Sequence, residues 1–135
     1  MKLYASSGSP FARKIRVMLL EKRAPHEVEM VDLWAPNDLK KTNPVGKVPA
    51  LRLDDGRALI GSPLIADYVD GKYPSPSFIP ADPDGRLDVR RLEAVADGTM
   101  DAVASSLYEN RFHDEPMRSQ AYLTRLRGKI DAGLA

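Results

Sequence analysis

Cysteine is absent from the 135 residues of the chain. Its absence excludes disulfides, zinc–thiolate centres and any chemistry carried by a protein thiol. Histidine is scarce: His26 and His113 stand far apart, form no metal-ligand spacing, and read as surface residues. No apolar run approaches the roughly 18 residues that a membrane span needs. The N-terminus carries Lys2, but Ser6, Ser7, Gly8 and Ser9 interrupt any signal-peptide core, so a cytoplasmic location is expected. Neither sign of charge dominates, with 20 Lys and Arg against 19 Asp and Glu and a net charge of +1. Composition therefore offers no attraction for nucleic acid or an acidic membrane surface. P-loop, dinucleotide-fold and Ser-His-Asp patterns are missing as well. What is present is a globular balance, 43% hydrophobic and 29% charged, in a chain long enough for one ordinary core.

Along the chain, Lys2 to Ala5 reads as a short first strand with Tyr4 in the core. Ser6 to Ser9 is a loop, and Pro10 opens a helix with Ser9 as its N-cap. Phe11, Ile15, Met18 and Leu19 fall on one face of that helix, while Arg13, Lys14 and Arg16 lie mainly on its solvated side. Ala24-Pro25 ends it. His26 to Val31 reads as a second strand, with Val28 and Met30 on one side and Glu27 and Glu29 on the other. Asp32 to Thr42 is polar and holds a short irregular helix, in which Trp34 is assigned to the core rather than to a cleft wall. Val48 to Leu53 is the third strand. Asp54-Asp55-Gly56-Arg57 is a hairpin turn, and Ala58 to Ile60 is the fourth strand. The order predicts a mixed four-stranded sheet with helices packed on it.

Two stretches stand out for chemistry. In Asn43-Pro44-Val45-Gly46-Lys47-Val48-Pro49-Ala50-Leu51, Asn-Pro starts a turn and Gly46 permits a conformation closed to other residues. Pro49 enters a strand, where a proline removes a ladder donor. From spacing alone it is an ordinary edge proline, since only about 5–6% of X–Pro bonds in folded proteins are cis. In Gly61-Ser62-Pro63-Leu64-Ile65, Ser62 is a good N-cap and Pro63 suits the first helical position. Leu64, Ile65, Tyr68 and Val69 are its expected buried face. A helix start of this kind can hold a carboxylate.

The run NPVGKVPAL at 43–51, followed by a strand pair and GSPLIADYV at 61–69, resembles the glutathione-binding half of cytosolic glutathione S-transferases of the serine type. Upstream, SPFARKIRVML at 9–19 resembles their first helix. The resemblance is close over about residues 1–78 and looser beyond. It implies a thioredoxin-like fold with a cis Val48–Pro49 bond, in place of the edge proline. It also implies a function: binding glutathione as co-substrate, without a metal, and activating its thiol for attack on a small electrophile, as in detoxification. With no cysteine in the chain, the reacting thiol arrives with the ligand.

The resemblance assigns residues to that chemistry. Ser9, directly before Pro-Phe, would donate its hydroxyl to the sulfur of glutathione; Ser6 and Ser7 in the same loop are weaker candidates. Val48 would pair main chain to main chain with the cysteinyl part, beside Pro49. Ser62 would take the γ-glutamyl carboxylate, and Lys47 the glycine carboxylate. One position departs from the pattern. The residue before Ser62 is normally acidic and here is Gly61. A lost charge-assisted hydrogen bond of about 1.5–3 kcal/mol would weaken binding by roughly 10- to 100-fold.

Pro74, Pro76, Pro80 and Pro83 mark a boundary. The expected organisation is a glutathione-binding domain at 1–78, a linker at 79–83, and the start of an all-helical domain at 84–135. Within the last, Leu92, Val95, Met100, Val103 and Leu107 keep a helical rhythm, and Glu115-Pro116 is expected to begin another helix carrying Leu126 and Ile130. Two helices cannot enclose a core, so this part is expected to be incomplete and to leave apolar surface for a homodimer. The alternative reading is a non-catalytic interaction module of the stringent-starvation-protein type, which Gly61 and the short helical part favour.

Overall fold

The computed structural model describes all residues, Met1–Ala135. The chain divides into two units, Met1–Ile79 and Pro80–Ala135.

The first unit is built on four short strands, β1 (Lys2–Ala5), β2 (Glu27–Met30), β3 (Ala50–Arg52) and β4 (Ala58–Ile60). Their order across the sheet is β2-β1-β3-β4. Helix α1 (Pro10–Glu21) is the crossover that lets β1 and β2 pair in parallel, with Leu3 beside Val28. β1 pairs antiparallel with β3, Leu3 opposite Leu51, and β3 with β4, Leu51 opposite Leu59. The β3–β4 hairpin turns at Gly56, whose φ of 89° suits a residue without Cβ. Helix α2 (Ser62–Lys72) follows β4 and packs against α1 on one face of the sheet. The mixed four-stranded sheet and its helices are the thioredoxin-like arrangement. Leu3, Ile15, Leu19, Leu51, Ile65 and Val69 are fully buried at its centre.

Several local expectations are corrected. β2 spans only Glu27–Met30 and is an edge strand. Val28 and Met30 alternate as expected but are 40% and 51% exposed, because no element of the unit covers that edge. Trp34 is 51% exposed, so it is not core filler; Leu39, in a single 3₁₀ turn at Leu39–Lys41, takes the core position in that segment. On α2 the buried face is Ile65, Ala66 and Val69, with Leu64 half exposed. β3 is shorter than expected, although Val48 and Leu53 on either side of it are buried.

The second unit is one long helix and one shorter one. Helix α3 (Pro83–Phe112) is capped by Asp82, whose carboxylate accepts from the Gly85 amide at 2.7 Å. The Glu115-Pro116 stretch forms only a 3₁₀ turn, and the next helix, α4 (Gln120–Leu134), starts later behind an N-cap at Ser119. Pro116 cannot donate to a helical ladder, and Ser119 offers the better cap. α3 and α4 pack together, yet they bury completely only Thr99, Ala102 and Leu126. Leu92 and Val95 remain 61% and 50% exposed.

Candidate functional site

The sheet topology brings three segments to one end. β1 and β4 run in the same direction and β3 against them. The loop after β1, the residues before β3 and the turn after β4 therefore meet at the same end of the sheet. These are Ser6–Ser9, Lys47–Pro49 and Gly61–Ser62.

Ser9 is the N-cap of α1, with extended backbone and its Oγ accepting from the Ala12 amide at 3.1 Å. A serine hydroxyl has one proton and two lone pairs. The cap uses a lone pair, so the proton remains for a ligand. Ser9 is half-buried at the positive end of the helix dipole, whereas Ser7 is exposed in the loop.

Asn43 positions Val48, a role that reading the motif as a turn signal did not anticipate. The Asn43 side chain is fully buried; its Nδ2 donates to the Lys47 carbonyl at 2.7 Å, and its Oδ1 accepts from the Val45 amide at 3.0 Å. The Gly46 amide donates back to the Asn43 carbonyl at 2.8 Å, with Gly46 at a φ of 69°. This closed turn delivers Val48 and Pro49, both buried, to the start of β3. The Val48–Pro49 peptide bond is cis. The sheet ladder begins at Ala50, and no hydrogen bond within the chain engages the Val48 amide or carbonyl. Lys47 is exposed beside it.

At the third segment the expected cap shifts by one residue. Gly61, not Ser62, is the N-cap of α2, with φ 89° and ψ 133°, and Ser62 is the first helical residue. Proline is tolerated throughout the first helical turn, so Pro63 does not fix the register, and only Gly61 accepts a positive φ without strain. The Gly61 carbonyl accepts from the Ile65 amide at 3.1 Å. Ser62 is 3% exposed, and no hydrogen bond within the chain consumes its hydroxyl.

The structure also contains a buried ion pair that the sequence reading passed over. Lys22 at the end of α1 and Asp70 near the end of α2 lie 2.6 Å apart, with both side chains buried. Burial alone would push the Asp70 carboxyl up. The Lys22 ammonium and the Phe78 and Ile79 amides outweigh it and hold the group below its usual value. A cavity of about 670 Å³ lies at the opposite end of the sheet, among Lys2, His26, Arg52 and Asp54, and contains none of the site serines.

Residues 3–77 match the family model described as glutathione S-transferase, N-terminal domain. The chain belongs to the glutathione S-transferase family. It is 39% identical over 135 residues to the GST-like protein YibF of Escherichia coli K12, covering 99% of this chain and 66% of that one. It is 40% identical over 100 residues to a maleylpyruvate isomerase of Ralstonia, covering 70% of this chain and 46% of the relative. Among solved structures, a glutathione S-transferase from Methylobacillus flagellatus with glutathione bound superposes with a TM-score of 0.94 at 39% identity, covering 98% of this chain and 66% of that one. The chain thus spans between 46% and 66% of the length of these relatives. In the glutathione S-transferase frame, Ser9, Val48 and Ser62 occupy one end of the thioredoxin-like sheet.

Proposed function

We propose that this glutathione S-transferase-family chain binds glutathione at the Ser9, Val48 and Ser62 end of the sheet and activates its thiol for attack on a small electrophile. The observation that carries this is the set of unused groups gathered there: the Ser9 proton, the Val48 main chain and the Ser62 hydroxyl. They fit a short peptide with a thiol at its centre. Val48 pairs with the peptide as an added strand does. Ser62 and the first turn of α2 receive a carboxylate, with Lys47 as the cation for the other end. Ser9 donates to the sulfur and favours the thiolate.

The magnitude is adequate. Lowering a thiol from about 8.5 by about two units takes roughly 2.7 kcal/mol. One hydroxyl donor to an anion supplies about 1.5–3 kcal/mol, and a helix N-terminus adds about 0.3–1 kcal/mol. The thiolate sulfur then forms a bond to the electrophilic carbon, and the displaced group leaves with the electron pair of its broken bond. In this reading the protein acts as a homodimer, and the exposed Leu92 and Val95 of α3 are apolar surface for such an assembly.

Calorimetric titration of glutathione into the protein tests the proposal against the interaction-module alternative. Saturable binding that weakens in Ser62→Ala is expected. No heat of binding at millimolar glutathione would overturn the reading.

A further inference from the structure

Lys22 and Asp70 form a fully satisfied buried cluster. The three ammonium protons of Lys22 meet three acceptors: the Tyr73 carbonyl at 2.5 Å, the Pro76 carbonyl at 2.6 Å and Asp70 Oδ1 at 2.6 Å. The Phe78 ring covers the ammonium, with its centroid 5.1 Å away. Asp70 also accepts from the Phe78 amide at 2.9 Å and from the Ile79 amide at 3.0 Å.

The placement of this pair matters more than its strength. β1 and β4 run parallel, so the helices that follow them, α1 and α2, both start at the site end of the sheet and return side by side. Ser9 caps the start of α1, and Ser62 begins α2. Lys22 closes α1, and Asp70 lies in the last turn of α2. Ile15 and Leu19 of α1 and Ile65 and Val69 of α2 belong to one buried apolar core. Apolar burial is non-directional: it selects the facing sides, and close packing opposes sliding without specifying one hydrogen-bonded register. A hydrogen-bonded ion pair is directional. Each residue of axial slip is about 1.5 Å, enough to break a contact of 2.6 Å.

We propose that the Lys22–Asp70 pair is a positioning clamp. From the far ends of α1 and α2 it sets the axial register of Ser9 against Ser62, and hence the spacing between the thiol and carboxylate subsites. This rests on the glutathione reading above for its functional consequence, but its structural half does not.

The test uses Lys22→Met, which keeps the stem and removes the donors. Asp70→Asn, which keeps the shape, carries the same measurements should Lys22→Met not fold. Amide NMR shifts at Ala12 and Ile65, in the first turns of the two helices, are read without ligand. Glutathione affinity is then read at a temperature where the variant is fully folded. The clamp predicts shift changes at both first turns. It also predicts glutathione affinity lower by at least about tenfold, the loss expected when a ligand hydrogen bond is misaligned. Most of that loss should vanish in a Ser62→Ala background, because the clamp acts through that serine. Shift changes confined to residues 70–79 with unchanged affinity would overturn the proposal and leave the pair as a local staple. If the unmodified protein binds no glutathione, the transferase reading fails, and the Ala12 and Ile65 shifts still decide whether the register is clamped.

Discussion

Replacing Gly61 by glutamate restores the acid that the family pattern carries before Ser62, and the structure shows that the change has two opposed effects. Gly61 sits at φ 89° as the N-cap of α2. Nothing lies within 4 Å of where its Cβ would stand, so there is no clash. The cost is conformational: a side chain at positive φ costs roughly 1–2 kcal/mol. The gain appears only with ligand, when a carboxylate beside the γ-glutamyl amine contributes about 1.5–3 kcal/mol. The unliganded variant should therefore melt lower, by about 4–8 °C per kcal/mol for a unit of this size. It should bind glutathione about 10- to 100-fold more tightly once folded. Gly61→Ala separates the terms, since it carries the strain without the acid. Calorimetric affinity and thermal melts of both variants make the comparison. Equal melting temperatures for Gly61→Ala and the unmodified chain would refute the assigned backbone strain. Equal affinities for Gly61→Glu and Gly61→Ala would refute the placement of the γ-glutamyl end at this helix start.

Two further outcomes concern stability. The Asp70 carboxyl is held below its usual value of 3.8. Its contribution is thus fully present above that value and is lost as pH falls through the lower folded value. Asp70→Asn should be less stable near neutrality and show a shallower acid limb, measured by denaturant midpoints against pH; parallel curves would contradict the assignment. In the second unit, a Cβ on Gly133 would lie 1.9 Å from Thr99 Oγ1 and 3.0 Å from Thr99 Cβ. Gly133→Ala should therefore destabilise the α3–α4 pair by about 1–3 kcal/mol despite the better helix propensity of alanine. Adding Thr99→Ala should recover most of that loss, and additive losses would show that the helices do not approach there.

The elements that bear the site were legible because each carries its own local signal. Ser-Pro-Phe opening a 3.6-residue rhythm made α1 and its cap readable. Asp-Asp-Gly-Arg between two apolar runs made the β3–β4 hairpin readable. What failed depended on neighbours that periodicity does not name. Alternation in Glu27–Met30 says which residues share a face, but not whether anything covers it. The Gly61–Ser62 register turned on a single φ, which only glycine accepts freely. Trp34 lies in a segment whose one buried apolar anchor is Leu39. The Lys22–Asp70 pair did leave a trace. Lys22 stands seven residues after Ile15 and four after Met18, on the buried face of α1, and Asp70 follows Val69 on α2. A lysine on an apolar stripe near an aspartate on another apolar stripe is the pattern that would have found it.

The central claim is that the Ser9 proton, left over by the cap to Ala12, serves the sulfur of bound glutathione. The direct measurement is thiolate absorbance of the complex against pH for the unmodified protein and Ser9→Ala. Both are compared at saturating glutathione and at a temperature that allows for about 1 kcal/mol of lost capping. The account predicts a thiol pKa higher in Ser9→Ala by about one to two units, for a lost bond of about 1.5–3 kcal/mol, with affinity at low pH nearly unchanged. An unmoved titration curve would mean that Ser9 does no more than cap α1, and the serine-type mechanism would be contradicted.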